Sequence, residues 1–376
     1  MQHFIRSTPL RLPKEGIERH TTWLEIFFDL IFAVIIAQLS TRLITHLNFI
    51  GVFQCLAMSI PIMWIWISYT VFAARFDNND AFHWFMTFII MFAGVIMAIQ
   101  IPVALENGAT GFAIGFVIAQ IALLILYFRT TYESSTPRNM LFLYMIGFGV
   151  GGLCWIISLF FEPPFQFVLW ALGMSIYLVI PWLGRKRILS KIPLDPTYIP
   201  ERFGSFVVII VGQIIASVVF GLESASWHLS SILTSLMAFI LAMLIWGQYY
   251  KFTQIADYKL TLGSGQPYIY AHIPLIISLI MLGGCIGYFI TNSTSLYKNA
   301  NATFCFAIVL YLSSLYLLQY LSICKFKVNG LSHFGGIMAV LILFIFFTFS
   351  PVVIMSIIVF IFIAIFSIQY WQAQQV

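Results

Sequence analysis

The sequence has very little charge. Only 8% of its 376 residues are Asp, Glu, Lys or Arg, whereas 61% are hydrophobic. Soluble domains normally carry about a quarter charged residues. The longest polar connections, residues 1–20 and 184–202, are too short to fold as soluble domains of their own. The composition therefore excludes a soluble protein and predicts a polytopic membrane protein.

The chain also lacks the patterns that hold metals or disulfide frameworks. Its five cysteines form no Cys-x-x-Cys pair, and no His-x-x-x-His or His-Glu-x-x-His occurs. We expect no metal and no cofactor. The basic first twenty residues lack the apolar run of a cleavable signal, and a net charge of +5 does not favour a nucleic-acid partner.

Long apolar runs are what the sequence has instead. A helix needs roughly 20 apolar residues to cross the hydrocarbon core of a bilayer. Because only Ser350 and Pro351 separate the last two runs, these are either two helices or one broken helix. The pattern predicts an all-α bundle of about 12 transmembrane helices, near residues 21–41, 49–72, 82–104, 109–129, 139–161, 165–184, 203–221, 229–250, 268–290, 300–323, 333–349 and 351–370.

The two halves of the chain begin alike. Glu18-Arg19 precedes the first predicted helix and Glu201-Arg202 the seventh, and residues 66–77 align with residues 246–257. Six helices in each half would relate the halves as parallel repeats, as in some transporters. The predicted organisation is a cytoplasmic basic segment 1–20, a first six-helix half 21–184, a cytoplasmic basic linker 185–202 and a second six-helix half 203–376.

The basic residues predict the orientation. With twelve spans and a cytoplasmic N-terminus, 16 of the 18 Lys and Arg residues fall on the cytoplasmic side, and only Arg42 and Lys298 fall outside. This asymmetry is what the positive-inside rule requires. We expect a multi-pass membrane protein with both termini in the cytoplasm. Its surroundings are lipid, and the composition is compatible with a homo-oligomer.

Two acids stand out in the first predicted helix. Glu25 would lie roughly 6–8 Å deep and Asp29 roughly 12–14 Å deep, on the same helical face because they are four residues apart. An acid at this depth is costly, so the face must look into the bundle or a wet cavity. Two such carboxylates would not both ionise easily, and either a proton or a cation would join them.

The alternative interpretation is a structural network in which neighbouring bases neutralise the acids. Arg75 ends the second helix and Arg202 opens the seventh on the cytoplasmic side. His83 and His272 lie at similar depth near the starts of the third and ninth helices. All four could meet the acids in the cytoplasmic leaflet, so the sequence leaves both interpretations open.

Several stretches resemble one known family. Residues 18–39 resemble the first-helix signature of the low-temperature-requirement A (LtrA) family of bacterial membrane proteins, and residues 64–80 resemble its Trp-rich second helix ending in Arg-Phe-Asp. Residues 198–213 and 268–276 resemble its Glu-Arg-Phe-Gly and Tyr-x-x-x-His-x-Pro-Leu motifs. The resemblance implies a multi-pass inner-membrane protein and names no substrate. By this resemblance, ten residues fall on motif positions of the family: Arg19, His20, Trp23, Glu25, Asp29, Arg75, Asp77, Glu201, Arg202 and His272.

Two positions depart from the family pattern. Gln213 stands where the family usually has Glu in the seventh helix, and Tyr198 stands where a His usually comes shortly before the Glu-Arg pair. If that Glu carries a coupling proton in relatives, this protein must rely on Glu25 and Asp29. Gln213 is accordingly predicted as a network partner.

These residues are compatible with three classes of function. The first is a transporter or permease for a small solute or ion, with Glu25 and Asp29 as the proton- or cation-binding pair and Arg75, Arg202 and His272 as gating partners. The second is a cation channel around the first and seventh helices. The third is a lipid-modifying enzyme with His272 or His20 as base. We expect a surrounding network of Arg19, His20, Trp23, Asp77, His83, Glu201 and Gln213.

Overall fold

The fold is that of a computed structural model of the chain. The structure describes residues 8–11, 20–76, 80–106, 108–132, 138–189, 194–225, 227–257, 265–292, 298–321, 323–324, 330–345 and 349–374.

The described chain is helical almost throughout. Short 3₁₀ turns follow the third and fourth helices, and two-residue strands, β1 (Ala256–Asp257) and β2 (Ile323–Cys324), pair antiparallel. The helices are α1 (Trp23–Thr45), α2 (Phe49–Arg75), α3 (Ala81–Gln100), α4 (Ala109–Arg129), α5 (Arg138–Ser158), α6 (Phe165–Gly184), α7 (Tyr198–Ser224), α8 (Leu229–Ile255), α9 (Gln266–Thr291), α10 (Lys298–Leu321), α11 (Gly330–Ile345) and α12 (Pro351–Gln374).

The predicted fold class is confirmed. Within the described residues, 11 helices are long and apolar enough to cross a membrane, and α11 supplies a shorter apolar stretch, Ser332–Phe344. The region 333–370 contains two separate helices, α11 and α12. Helices suit this environment because they satisfy their own backbone hydrogen bonds where no water can.

The chain divides into two compact units, with boundaries inside α1, α2, α7 and α9 and one more between β1 and α9. The first unit comprises Met1–Gln38, Ala57–Arg202 and Leu260–Ile269, and the second comprises Leu39–Leu56, Phe203–Lys259 and Tyr270–Val376. The predicted pair of parallel six-helix repeats stays a prediction.

In the first unit, α3 packs on α4, α4 on α5, and α5 on α6. Large aromatic side chains fill the spaces between these helices. The ring of Trp155 in α5 stacks on Phe116 of α4 and on Trp170 of α6, with centroids 3.9 and 4.9 Å apart. Glycine allows the close approach of α5 and α6, since a Cβ on Gly151 would lie 2.7 Å from the ring of Tyr177.

In the second unit, α8 packs on α12, and α11 packs on both α10 and α12. Side-chain to backbone hydrogen bonds join helices there. The hydroxyl of Tyr311 in α10 donates to the carbonyl of Ile245 in α8 at 3.1 Å. Ser40 Oγ at the end of α1 donates to the carbonyl of Ile280 in α9 at 2.9 Å.

Candidate functional site

Glu25 closes the N-terminus of α1 through a capping box. The backbone N–H of Thr22 donates to Glu25 Oε2 at 2.8 Å, and the backbone N–H of Glu25 donates to Thr22 Oγ1 at 3.3 Å. This reciprocal pair satisfies two helix-end donors. Glu25 is 3% exposed, so its carboxylate has a structural role in addition to any chemical one.

Tyr198 supplies a third hydrogen bond to Glu25. Its hydroxyl donates to Glu25 Oε1 at 2.6 Å. Tyr198 is the first residue of α7, and Asp195 fixes it there by accepting from the backbone N–H groups of Thr197 at 2.9 Å and Tyr198 at 3.1 Å. Local capping chemistry thus places a tyrosine hydroxyl against an acid 173 residues earlier in the chain.

Asp29, one turn deeper, is held by Arg202 and Trp66. Arg202 Nη1 donates to Asp29 Oδ2, and Trp66 Nε1 donates to Asp29 Oδ1 at 2.7 Å. Both members of the ion pair are completely buried, and the guanidinium carbon of Arg202 lies 5.3 Å from the centre of the Trp66 ring. Nε and Nη2 of Arg202 have no hydrogen-bond partner among the described residues.

The two contacts between α1 and α7 share one register. Glu25 meets Tyr198, and four residues further along both helices Asp29 meets Arg202. Because residues four apart lie on one helical face, the first turns of α1 and α7 run side by side in the same direction. Parallel helix starts on one side of a bilayer require an even number of spans before α7.

A more exposed contact lies at the end of this network. Glu201 Oε1 accepts from the backbone N–H of Thr21 at 3.0 Å and from its hydroxyl at 3.2 Å. His20 Nδ1 lies 3.2 Å from Glu201 Oε2, and 73% of the His20 side chain is exposed. The acids therefore form a series from an exposed carboxylate to a completely buried one.

A group of stacked, buried aromatic rings includes two residues close to Asp29 in the sequence of α1. Phe28 stacks on Tyr69 with centroids 4.1 Å apart and on Phe32 with centroids 4.7 Å apart. The hydroxyl of Tyr69 is 3.2 Å from His83 Nε2 and accepts from Thr87 Oγ1 at 3.1 Å. The His83 ring thus pairs with Tyr69 and has no hydrogen bond to Glu25 or Asp29 in the structure, while its backbone N–H donates to Asp80 Oδ1 at 2.8 Å.

Other predicted site residues lie apart from this network. Arg75 donates to the hydroxyl of Tyr144, and the structure gives it no hydrogen bond to Glu25 or Asp29. Trp23 is 85% exposed. Arg19 and Asp77 lie outside the described residues.

His272 and Gln213 belong to the second unit. His272 Nε2 is 2.9 Å from the hydroxyl of Tyr249, and its ring lies 4.5 Å from that of Phe203. Gln213 is half-buried in α7, where its carbonyl accepts from Ser217 Oγ at 3.2 Å. The roles predicted for both residues stay predictions.

Two residues of the network were missed by sequence reasoning. The sequence marks Tyr198 only as a departure from the family pattern, and Trp66 only as part of a Trp-rich motif. The capping box was also missed, although Thr-x-x-Glu before an apolar run signals it. Nothing in the sequence indicates which tryptophan would meet Asp29.

The helices and the enclosed charges define a multi-pass integral membrane protein. The chain belongs to a family: the model for bacterial low temperature requirement A protein (LtrA) matches residues 20–368. It is also 24% identical over 307 residues to the uncharacterized protein RA0937 of Rhizobium meliloti (strain 1021), an alignment that covers 71% of this chain and 73% of the relative.

Proposed function

We propose that this LtrA-family protein is a transporter or permease for a small solute or ion. In this proposal Asp29 and Glu25 bind the proton or cation, and Arg202 is the partner that responds. The observation that carries the proposal is the completely buried ion pair between Asp29 and Arg202. Ionisable residues inside membrane helices commonly mark ion and proton pathways.

Stability alone is a poor reason for such a pair. Removing two charges from water costs several kcal/mol per ion in real proteins, and well-packed apolar residues in their place are often neutral or stabilising. In addition, three donor hydrogens on Nε and Nη2 of Arg202 have no acceptor among the described residues. A charge whose hydrogen bonds are only partly satisfied suits a group that changes partners.

In this proposal, protonation of Asp29 switches the protein between its two conformations. When Asp29 takes up a proton, its attraction to Arg202 falls, while Trp66 can still donate to the neutral carboxyl group. The start of α7 then loses its ionic attachment to α1. Glu25 lies about 6 Å nearer the helix start, between the exposed Glu201 and the buried Asp29, and so provides an intermediate acceptor for a proton or cation.

The enclosure of the acids favours a transporter over a channel. Asp29, Phe28, Phe32 and Tyr69 each have 0% exposure, and the three aromatic rings stack in a continuous group. An ion pathway through this network would need these rings to move. A site that is closed in one conformation and opened in another is typical of carriers that alternate their access.

The test uses the full-length protein in liposomes that contain a pH-sensitive dye. Potassium, sodium and proton gradients are imposed in turn on wild type, Glu25→Gln and the double variant Asp29→Leu/Arg202→Met. The double variant removes both charges together, so that neither is left unpaired. We expect gradient-driven flux in wild type and none in the folded double variant.

The dependence of flux on concentration separates the alternatives. Flux that saturates supports a carrier, whereas a linear conductance supports a channel. If the folded double variant transports as well as wild type, the proposal is wrong and the acids are structural. Absence of flux in wild type under all three gradients would direct attention to lipid substrates and to His272.

We also propose that the N- and C-termini are cytoplasmic and that the membrane is the inner one. The distribution of 16 of the 18 basic residues supports this orientation. The parallel starts of α1 and α7 fit the even number of spans between them that this distribution assumes. Labelling of single cysteines introduced at His20 and at Trp227 by a membrane-impermeant thiol reagent, in a variant without native cysteines, tests it. We expect labelling from outside only at position 227.

A further inference from the structure

Arg75 is a buried cation that has a neutral partner. It is the last residue of α2 and is 1% exposed. Its Nη1 donates to the hydroxyl of Tyr144, while Nε and Nη2 have no hydrogen-bond partner among the described residues. One whole edge of the guanidinium group is therefore unused.

The tyrosines around Arg75 add further donors. The ring of Tyr127 stacks on that of Tyr144, with centroids 5.1 Å apart, and its buried hydroxyl has no partner among the described residues. The Tyr144 oxygen accepts from Arg75, so its own hydrogen remains available for an acceptor. The three side chains together present donors without a matching acceptor in the described part of the chain.

Two other arginines in the first unit have acidic partners, unlike Arg75. Arg202 is paired with Asp29, and Arg129 donates to Asp80 through Nη1 at 3.1 Å. Among the described residues Arg75 forms no ion pair, and a buried charge without a counter-charge is much more costly than a buried pair. Leaving a buried donor unsatisfied costs about 1–3 kcal/mol, and more for charged groups. An anion at Arg75 would remove both penalties.

We propose that Arg75, Tyr127 and Tyr144 form a binding site for a small monocarboxylate. Nε and Nη2 lie along one edge of the planar guanidinium group, which matches the two oxygens of a carboxylate. The Tyr127 hydroxyl supplies a neutral donor. A single negative charge balances the single charge of Arg75, whereas a dianion would bring one uncompensated charge into an apolar region.

The neighbouring rings suit the apolar body of such a ligand. Phe72 and Phe76 meet the Tyr127 ring edge-on, with centroids 5.0 and 6.1 Å away. Arg75 and Tyr127 both lie at helix ends, α2 ending at Arg75 and α4 ending two residues after Tyr127. The proposed site therefore lies near the ends of two helices rather than at their middle. This site does not depend on the transport proposal.

The experiment measures the thermal unfolding midpoint of the purified full-length protein in detergent micelles. Sodium acetate and sodium benzoate are titrated, with sodium chloride and sodium phosphate as comparisons at equal ionic strength. In wild type we expect a saturating rise of the midpoint with the two carboxylates only. No gradient is present, so failure here is distinct from failure of transport.

Variants assign the effect to the three side chains. Arg75→Gln should abolish the carboxylate-dependent rise of the unfolding midpoint. Arg75→Lys keeps the charge but loses the pair of N–H donors on one edge of the guanidinium group, and it should weaken carboxylate binding about tenfold. Tyr127→Phe should weaken carboxylate binding severalfold. The control is Tyr311→Phe, which removes a hydroxyl in the second unit and should bind like wild type.

Three results would overturn this assignment. The first is an equal rise with all four salts, which is an ionic-strength effect. The second is a saturating response to phosphate instead of carboxylate. The third is carboxylate binding by Arg75→Lys and Tyr127→Phe that is as strong as in wild type. The replacement side chains in these two variants are close in size to the native ones, so the variants test the site even if Arg75→Gln does not fold.

Discussion

Asp29 and Arg202 form an ion pair between α1 and α7 in which neither side chain is exposed. The residues are 173 positions apart in the chain, yet four residues earlier on both helices Glu25 and Tyr198 make a second contact in the same register. The start of α7 is thus attached to α1 by an ion pair and by a hydrogen bond from a neutral hydroxyl group to a carboxylate. The two attachments respond differently to loss of charge, which makes them separable by mutation.

Removing one member of the ion pair should be much worse than removing both. Asp29→Asn leaves the Arg202 charge buried and should lower the free energy of unfolding by about 3–5 kcal/mol. Asp29→Leu/Arg202→Met should be close to wild type in stability. Titration with sodium dodecyl sulfate in mixed micelles, followed by circular dichroism, measures both. If the single and double variants lose the same free energy of unfolding, the unpaired Arg202 charge is not what destabilises Asp29→Asn.

Glu25 permits a separation of its capping role from its charge. Gln at the same position can still complete a capping box, so Glu25→Gln should change the free energy of unfolding little. Glu25→Ala should lose more, because it removes both the cap, worth about 0.5–2 kcal/mol, and the acceptor of the Tyr198 hydroxyl, worth about 1.5–3 kcal/mol. The same mixed-micelle titration compares them. If Glu25→Gln is as unstable as Glu25→Ala, the carboxylate charge rather than the cap stabilises α1.

Tyr198→Phe should destabilise the protein by removing the hydrogen bond to Glu25. A hydrogen bond to a charged group contributes about 1.5–3 kcal/mol, and phenylalanine keeps the ring but not the donor. In a Glu25→Ala background the same substitution should cost less free energy of unfolding than in wild type, because this acceptor is absent. A double-mutant cycle measures this coupling. If the two substitutions lower the free energy of unfolding additively, the Tyr198 hydroxyl does not stabilise the protein through Glu25.

Two glycines of α5 provide a matched test of helix packing. A Cβ on Gly151 would lie 2.7 Å from a ring carbon of Tyr177, whereas a Cβ on Gly149 would meet nothing within 4 Å. Gly151→Ala should therefore lose about 1–3 kcal/mol through overpacking, and Gly149→Ala should be neutral or slightly stabilising because alanine favours helix. Thermal unfolding of the two variants distinguishes them. Equal behaviour would mean that α6 moves aside without cost.

The helices were predictable because the bilayer sets their length. The predicted span 229–250 corresponds to α8 and 351–370 to α12, with differences at the ends. The largest difference at a start is in α7, predicted from residue 203 and beginning at Tyr198. Glu201 and Arg202 resembled linker residues because they are charged, but Asp195 caps this helix and contacts to α1 stabilise its polar first turn.

The sequence by itself determined that Asp29 must be enclosed and must share a face with Glu25. Helical periodicity and the cost of charge in hydrocarbon are local properties that one segment carries alone. Arg75, Arg202, His83 and His272 were equally eligible partners on that evidence, because a pattern within one helix contains no information on which distant helix packs against it. Only the tertiary structure selected Arg202 and Trp66 for Asp29 and Tyr198 for Glu25. It did so because hydrogen bonds of 2.6–2.7 Å require a specific register between helices, and packing of the whole bundle decides that register.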